Sequence, residues 1–289
     1  MNSLSVATGS TPSRIRVRAS RRTLWSVVAA FVVASAWNLC FGLAAAELPG
    51  WRGGLGVAAL GAAFLGFYVA RRGGRRAARR RAAMRLRAPC RAVWPWVLPL
   101  ALLAATLQVA IGFLVVANGW ITEADAPKHG ADASAAGMFL FGALFAPLVE
   151  EFFYRGTMQR ALERRVGPWL AIGVTALVFA LAHGNGVRVP GLWLGGVVLG
   201  HAAWATRSIW PGVAIHVINN VVAALVAPWL LGRAFYTPAA LRGWASTHPA
   251  TGIAALVIAA TLAGLLWLSR RMGAAARATP STASTTLLG

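Results

Sequence analysis

The chain is poor in negative charge and in lysine. Of its 289 residues only seven are acidic, against 28 basic ones, and Lys128 is the single lysine. Charged residues make up 12% of the chain and hydrophobic residues 58%, whereas soluble domains carry about 25% charged residues. This composition excludes an ordinary soluble domain and predicts a multi-pass protein of the cell (inner or plasma) membrane. The net charge of +21 does not indicate a nucleic-acid partner, because the arginines lie between apolar segments, where they favour contact with anionic lipid.

Cysteine is nearly absent as well. Cys40 lies in a predicted membrane segment and Cys90 in a basic loop, so we expect no disulfide between them and two inert thiols. The chain also lacks the Cys/His spacing that is typical of a structural zinc site.

Long hydrophobic runs predict an all-α bundle of about eight transmembrane helices. The runs cover residues 24–46, 53–70, 92–118, 136–150, 167–183, 190–206, 208–231 and 251–269. The fourth run is short, and we expect its helix to end at a pair of glutamates. The sixth contains two small-residue pairs, Gly191 with Gly195 and Gly196 with Gly200, which predict close packing against a neighbouring helix.

Basic residues alternate between loops and orient the chain. The N-terminal tail and the segments after the second, fourth, sixth and eighth runs hold 23 basic residues, whereas the other loops hold five. Because short cytoplasmic loops are enriched in Lys and Arg, both termini are predicted to be cytoplasmic. The 71–91 loop alone has ten arginines. We interpret it as a topogenic anchor, and binding to anionic lipid or a partner is the alternative.

Two adjacent carboxylates and an arginine follow the fourth run. An ionisable group at membrane depth costs about 2.5–3.5 kcal/mol, which makes it a candidate functional residue. Residues four apart share a helix face, so Glu151 is predicted to pair with Arg155. Glu150 then points elsewhere and is free to act as a general base. The alternative is an interfacial helix start, where the helix dipole favours acidic residues.

Histidine and asparagine supply further polar groups inside apolar runs. His183 ends the fifth run one turn after Phe179, and His216 and Asn220 form an i, i+4 stripe in the seventh. Each has a structural alternative, such as an interhelical hydrogen bond worth about 0.6 kcal/mol, and we assign His201 to packing or support. Together with a free carboxylate, they provide a base, a proton acceptor and oxyanion donors, which are the parts needed to hydrolyse an amide.

The order of these motifs resembles a known family. The sequence pattern E-E-x-x-x-R, then F-x-x-x-H, then H-x-x-x-N is similar to that of the CPBP family, named for CAAX proteases and bacteriocin-processing enzymes and also called Abi or type II CAAX prenyl endopeptidase. The resemblance covers about 136–231, roughly a third of the chain. It implies a glutamate-dependent intramembrane endopeptidase.

The resemblance also implies a role for each motif residue. Glu150 and His183 would activate the water that attacks the scissile carbonyl. His216 and Asn220 would hold the oxyanion. The supporting residues would be Glu151, Arg155 and Phe179.

Cofactor and partner expectations follow from the same resemblance. Members were long called metalloproteases, and Glu150, His183 and His216 would suit zinc. We favour a mechanism with no cofactor, because neither histidine motif has the H-E-x-x-H spacing. The expected partners are membrane lipid and a membrane-anchored or lipidated protein or peptide, prenylated proteins being the family's eukaryotic substrates. No sequence feature indicates an oligomeric state.

Two other function classes stay open. A non-catalytic member, with a bacteriocin-immunity or scaffold role, would keep the motifs for structure alone. A transporter would use the carboxylate and histidines as a relay, but it should show matching Gly/Pro-broken helices in two halves, and the chain shows no such pairing.

These features divide the chain into five regions. They are a basic cytoplasmic tail (1–23), N-terminal transmembrane helices (24–135), the CPBP-like catalytic core (136–231), a loop with the final helix (232–269) and a disordered tail (270–289). One difficulty accompanies this division. With straight spans, Glu150 and His183 would lie at opposite membrane faces, unless the segment 150–166 itself enters the bilayer.

Overall fold

A computed structural model of the chain describes residues 84–120, 141–183, 189–222, 238–247 and 250–278. The first two predicted spans, the N-terminal tail, most of the arginine-rich loop and the last eleven residues lie outside this part. So do residues 223–231 of the seventh predicted span.

The described residues are all-α, as predicted, and contain no strand. They form seven helical segments. A 3₁₀ turn, Arg91–Trp96, leads into the first of them. The segments are α1 (Val97–Ala117), α2 (141–166), α3 (Pro168–Ala182), α4 (Val189–Thr206), α5 (Trp210–Val221), α6 (Pro238–Thr247) and α7 (Ala250–Ala278).

Two of the described helices are long and apolar enough to cross a membrane. They are Arg91–Ala117 and Thr251–Ala278, at the positions of the third and eighth predicted spans. Pro168–Ala182 is a shorter apolar helix at the position of the fifth. The count of eight spans and the cytoplasmic placement of the termini stay predictions.

The end of α2 differs from the prediction. The helix does not stop at the glutamates but continues to Val166, so the predicted end at 150 was wrong. Two stretches of it, Phe141–Phe145 and Phe152–Gln159, are π-helical, a feature often found at functional sites. The second stretch is buried almost throughout. Arg155 and Gln159 of this stretch bond carbonyls of a neighbouring helix inside the bundle, so the helix can stay buried past the glutamates.

The final helix also runs further than predicted. Residues 270–278 were expected to begin a disordered tail, but α7 continues to Ala278. Met272 is fully buried in the core that α7 shares with α1, α4 and α5. Burial of this apolar side chain stabilises the extension of the helix.

Helix α4 is central and contacts α1, α2, α3, α5 and α7. Its glycines allow these contacts to be close. A Cβ atom on Gly196 would lie 3.0 Å from the Cβ of Ala176 in α3, and one on Gly200 would lie 2.8 Å from Oε1 of Gln159 in α2. The predicted close packing of this helix through its small residues is therefore confirmed.

The end of the arginine-rich loop is fixed to the bundle. The backbone N–H of Ile209, between α4 and α5, donates to the carbonyl of Arg85 at 2.9 Å, and the Ser208 hydroxyl donates to the carbonyl of Arg87 at 2.7 Å. The buried Arg85 guanidinium pairs with Glu163 of α2 at 2.8 Å. Burial lowers the pKa of Arg85 to about 10, although Glu163 opposes the shift. Three segments that are predicted to be cytoplasmic thus meet at one end of the bundle.

Candidate active site

A tight turn at Gly167 explains how the motif residues reach one level. Gly167 joins α2 to α3 with φ 80° and ψ 167°, and the two helices pack against each other. Glu150 lies 17 residues before this turn and His183 lies 16 residues after it. In a helical hairpin, residues at similar distances from the turn lie at similar heights. The continuation of α2 past Glu150 therefore removes the conflict in depth that the sequence raised.

Glu151 and Arg155 form a fully buried ion pair, which confirms the predicted i, i+4 contact. Nη1 of Arg155 lies 2.9 Å from Oε1 of Glu151, and both side chains have 0% exposure. Nη2 of Arg155 also donates to the carbonyl of Gly196 in α4 at 3.2 Å. Because buried charges are stable only when paired and hydrogen-bonded, this network fixes α2 against α4.

The imidazole of His216 lies between the two glutamates. Its Nδ1 is 3.2 Å from Oε1 of Glu151, and since a carboxylate oxygen accepts, Nδ1 carries the donated hydrogen. Its Nε2 is 3.7 Å from Oε2 of Glu150, which is too long for a direct hydrogen bond. All three residues are buried. Glu151, which Arg155 holds in place, thus orients the ring through Nδ1. Glu150 faces the opposite nitrogen, Nε2.

Phe179 connects the remaining motif residues. Its ring centroid is 4.7 Å from the Cζ atom of Arg155, 4.6 Å from the His183 ring and 5.6 Å from the His216 ring. Tyr154 approaches the same ring edge-on at 5.2 Å. The Phe179 and His183 rings, one helical turn apart, meet edge-on. The two histidines, 33 residues apart in sequence, contact one aromatic side chain.

His183 occupies the outer part of this cluster. Its side chain is exposed, and its Nδ1 lies 2.8 Å from the backbone carbonyl of Phe179. In the described part of the chain, the histidine in contact with Glu150 is His216 rather than His183. Glu150 and His183, the pair expected to activate water, are therefore linked only indirectly: Glu150 is next to His216, and Phe179 lies between His216 and His183.

The two asparagines of α5 have different surroundings. Nδ2 of Asn220 donates to the carbonyl of Gly142 at 3.1 Å, which ties α5 to the start of α2. One N–H of that amide group is left for a further bond. Asn219 is buried, and its Oδ1 has no hydrogen-bond partner among the described residues. Asn220 lies one turn after His216 on the same face of α5.

Comparison with known proteins identifies the segment that carries this site. Residues 132–222 match the family model of type II CAAX prenyl endopeptidase Rce1-like proteins. Over these residues the chain resembles the CAAX prenyl endopeptidase family. The assignment made from the three motifs is confirmed, and the matched residues include every motif residue. No curated protein and no solved structure matches the chain.

Within the CAAX endopeptidase segment, the sequence argument missed a longer polar stripe on α2. Nε2 of Gln159 donates to Oε1 of Glu163 and to the carbonyl of Gly200, each at 2.9 Å. Glu151, Arg155, Gln159 and Glu163 recur every four residues. That spacing was the signal that could have revealed a buried polar face extending past the glutamate pair.

Gly212 of α5 was also missed. A Cβ atom there would lie 2.9 Å from Oε2 of Glu151, so only glycine leaves room for the carboxylate. Gly212 stands four residues before His216, on the same helix face. The signal was this Gly-x-x-x-His spacing, which places a residue without a side chain one turn before the motif histidine.

The donors expected for zinc do not form a cluster. Among the residues that the structure describes, no group of three His, Cys, Asp or Glu side chains could hold a metal ion. Glu150 and His216 are neighbours, but His183 is turned outward and is bonded to its own helix. The residues as arranged do not fit a three-ligand zinc site.

Proposed function

We propose that this protein is an intramembrane endopeptidase that hydrolyses a peptide bond of a membrane-anchored or lipidated protein or peptide. The observation that carries the proposal is the position of His216 between two buried glutamates, one of them held by Arg155. This group lies in the segment that matches a family of CAAX prenyl endopeptidases. Amide hydrolysis needs a base and oxyanion donors in a water-poor site, and these residues supply both.

In the proposed mechanism, Glu150 is the general base. It takes a proton from a water whose oxygen attacks the scissile carbonyl. His183, on the solvent-exposed side of Phe179, is the second residue proposed to bind that water. The proton then passes to the departing amine as the C–N bond breaks. A base whose apo contacts are long can still act, because such contacts often tighten when substrate binds.

His216 and Asn220 are the proposed oxyanion donors. Asn220 has a second amide N–H available beyond the bond to Gly142. Donation from Nε2 of His216 requires the imidazolium form, whose charge would face both glutamates. Glu151 holds the ring through Nδ1, and Arg155 holds Glu151, so these two are positioning residues.

Glu150→Gln tests the proposal most directly. The variant keeps the size of the side chain and removes the base, so we expect cleavage to fall by about 10²–10⁴-fold, while expression and the melting temperature stay unchanged. The readout is a comparison of trimmed protein termini, by proteomics, in membranes carrying wild type or variant. Glu123→Gln, which changes an acid outside the matched segment, is the control and should cleave normally.

The result separates an enzyme from a non-catalytic member of the family. If wild type and Glu150→Gln yield the same fragments, the protease proposal fails. A scaffold or immunity protein would instead keep its biological function in a Glu150→Gln variant that still folds.

A further inference from the structure

A cavity lies apart from the motif residues. It has a volume of about 330 Å³ and is lined mainly by α4 and α7, with Leu107 of α1 and Trp169 of α3, and no motif residue lines it. Most of its wall is aliphatic, with contributions from Leu107, Leu194, Val198, Leu262 and Leu265. Its volume is within the range of ligand-binding pockets, about 300–1,000 Å³.

One end of this cavity is polar and basic. Arg270 and Arg277 line it together with Ser269 and His201, and none of the acidic residues that the structure describes does so. Both arginines are exposed. The Arg277 guanidinium lies along α7, where its Nη1 would be 3.4 Å from a Cβ atom on Gly273. The lack of a side chain at Gly273 gives this cation its place at the rim.

Aromatic side chains surround His201 at the same end. The imidazole stacks on Trp169, with ring centroids 5.5 Å apart and planes inclined by 22°, and Trp204 approaches it at 5.6 Å. Nδ1 of His201 is buried without a hydrogen-bond partner among the described residues. A buried polar atom without a partner costs free energy, so this nitrogen is suited to a polar group of a ligand.

The cavity is accessible from the outer surface of the bundle. Trp169 and Leu266, both in its wall, are 64% and 59% exposed. Helix α7 is long and apolar enough to cross a membrane, and its arginines follow the apolar part. Tryptophan and arginine at such a position are typical of the membrane–water interface. A lipid chain could therefore enter from the side while its head group stays at the interface.

We propose that this cavity binds an anionic phospholipid, with an acyl chain along the aliphatic wall and the phosphate at Arg270 and Arg277. Charge decides the class of lipid, because the described part of the rim carries two cations and no anion. A zwitterionic head group would bring its own positive charge to the arginines. The site is independent of the proposed catalysis. It also gives His201 a role that the motifs left open.

The test uses the purified full-length protein in detergent. It is titrated with dioleoyl phosphatidylglycerol or with dioleoyl phosphatidylcholine, and lipid adducts are counted by native mass spectrometry alongside the melting temperature. We expect phosphatidylglycerol to bind and to raise the melting temperature, and phosphatidylcholine to do neither at the same concentration. The double variant Arg270→Gln/Arg277→Gln should bind phosphatidylglycerol about tenfold more weakly, since each basic residue near an anionic lipid contributes measurably.

Arg271→Gln is the matched control, because it removes the same charge from the same helix outside the cavity. Arg271 stacks over Trp267, with its Cζ atom 5.2 Å from the ring centroid. The Arg271→Gln variant should bind lipid as the wild type does. Val198→Phe should fill the cavity and reduce binding without altering the rim. Glu150→Gln should bind lipid normally, so a failure here is distinct from a failure of the protease proposal.

Several results would overturn the lipid site. They are equal binding of the two lipids, unchanged binding by the double arginine variant, or an equal loss in Arg271→Gln, which would indicate a general basic surface. The same thermal shift with inorganic phosphate alone would show an anion site that takes no lipid chain. If Val198→Phe does not fold, the comparison of the double variant with Arg271→Gln still decides.

Discussion

At the scale of single residues, two adjacent glutamates have different partners. Glu151 is fully buried and bound by Arg155 and His216, whereas the ion-pair partner of Glu150 among the described residues is Nε2 of that imidazole, at 3.7 Å. An ion pair held by further hydrogen bonds can be stable in an apolar interior, but loss of one partner leaves an uncompensated charge. The positioning half of the site is therefore also a stability element.

Replacing Arg155 tests this dual role. Arg155→Met keeps the length of the side chain but leaves the Glu151 carboxylate buried without its cation, so we expect a loss of about 3–5 kcal/mol in unfolding free energy. Reversible unfolding in mixed micelles would measure it. Arg160→Met is the control, because the Arg160 side chain is 31% exposed and its partner Glu163 keeps the ion pair with Arg85, so we expect a loss of only about 0–1 kcal/mol. Similar losses in both variants would show that the buried pair contributes no special stability.

Gly212 provides a second test at this scale. The Cβ atom of Gly212→Ala would meet Oε2 of Glu151 at 2.9 Å, so the carboxylate must shift and His216 loses its orientation. We expect cleavage to fall by about tenfold or more, since small displacements of catalytic groups can cost about 10²-fold. Gly173→Ala on α3 is the control, because nothing lies within 4 Å of its added Cβ, and its activity should be unchanged. Full activity in Gly212→Ala would contradict the assigned role of Glu151.

The sequence allowed part of this site to be predicted. The Glu151–Arg155 pair follows from helix spacing alone, because both residues lie on one continuous helix. The contact of His216 with Glu151 could not be derived in this way, since it joins residues 65 positions apart and depends on how α5 packs on α2. Gly212 was missed for the same reason: its importance lies in a neighbour from another helix.

At the scale of helices, the hairpin of α2 and α3 sets the height of the site. Its turn residue, Gly167, has φ 80° and ψ 167°, a combination that is accessible essentially to glycine alone. Any side chain there would strain the turn or displace one helix along the other. The alignment of Glu150 with the end of α3 depends on this single backbone conformation.

We therefore expect Gly167→Ala to reduce both stability and activity. The strain should cost about 1–3 kcal/mol, and a shift between the helices would also lower cleavage. Thermal unfolding and the fragment assay measure the two effects on one preparation. Gly112→Ala in α1 is the control, since Gly112 has no neighbour within 4 Å of an added Cβ and no positive φ. A Gly167→Ala variant with wild-type melting would show that the turn tolerates a side chain.

Helix ends were the least predictable part of the fold. The glutamates looked like the end of an apolar helix, because hydropathy alone cannot show that a polar side chain has partners elsewhere. Arg155 and Gln159 donate to carbonyls of α4, so the helix continues through them. The locations of the apolar helices α1, α3 and α7 along the chain, by contrast, depend only on the composition of each segment, so the sequence predicted them.

At the scale of the whole molecule, charge is sorted towards one end. The Arg85–Glu163 pair and the bonds from Ser208 and Ile209 join the arginine-rich loop, the end of α2 and the α4–α5 turn. All three were assigned to the cytoplasmic side from their arginines, and their contact agrees with a common side. Because Lys and Arg are retained in cytoplasmic loops, this end of the bundle should face the cytoplasm.

Site-directed labelling tests that orientation. In a chain with Cys40→Ala and Cys90→Ala, we expect Arg164→Cys and Arg271→Cys to react with a membrane-impermeant maleimide only in inverted vesicles. Lys128→Cys should react only from the outside of intact cells. Four predicted spans separate residues 164 and 271, so these two must share a side, whereas one span separates residues 128 and 164. Labelling of Arg164→Cys and Arg271→Cys from opposite sides would require an odd number of crossings between them. It would then place the arginines of the proposed lipid site and the α2–α3 turn on opposite sides of the membrane, although Arg277 and Trp169, next to that turn, line one cavity.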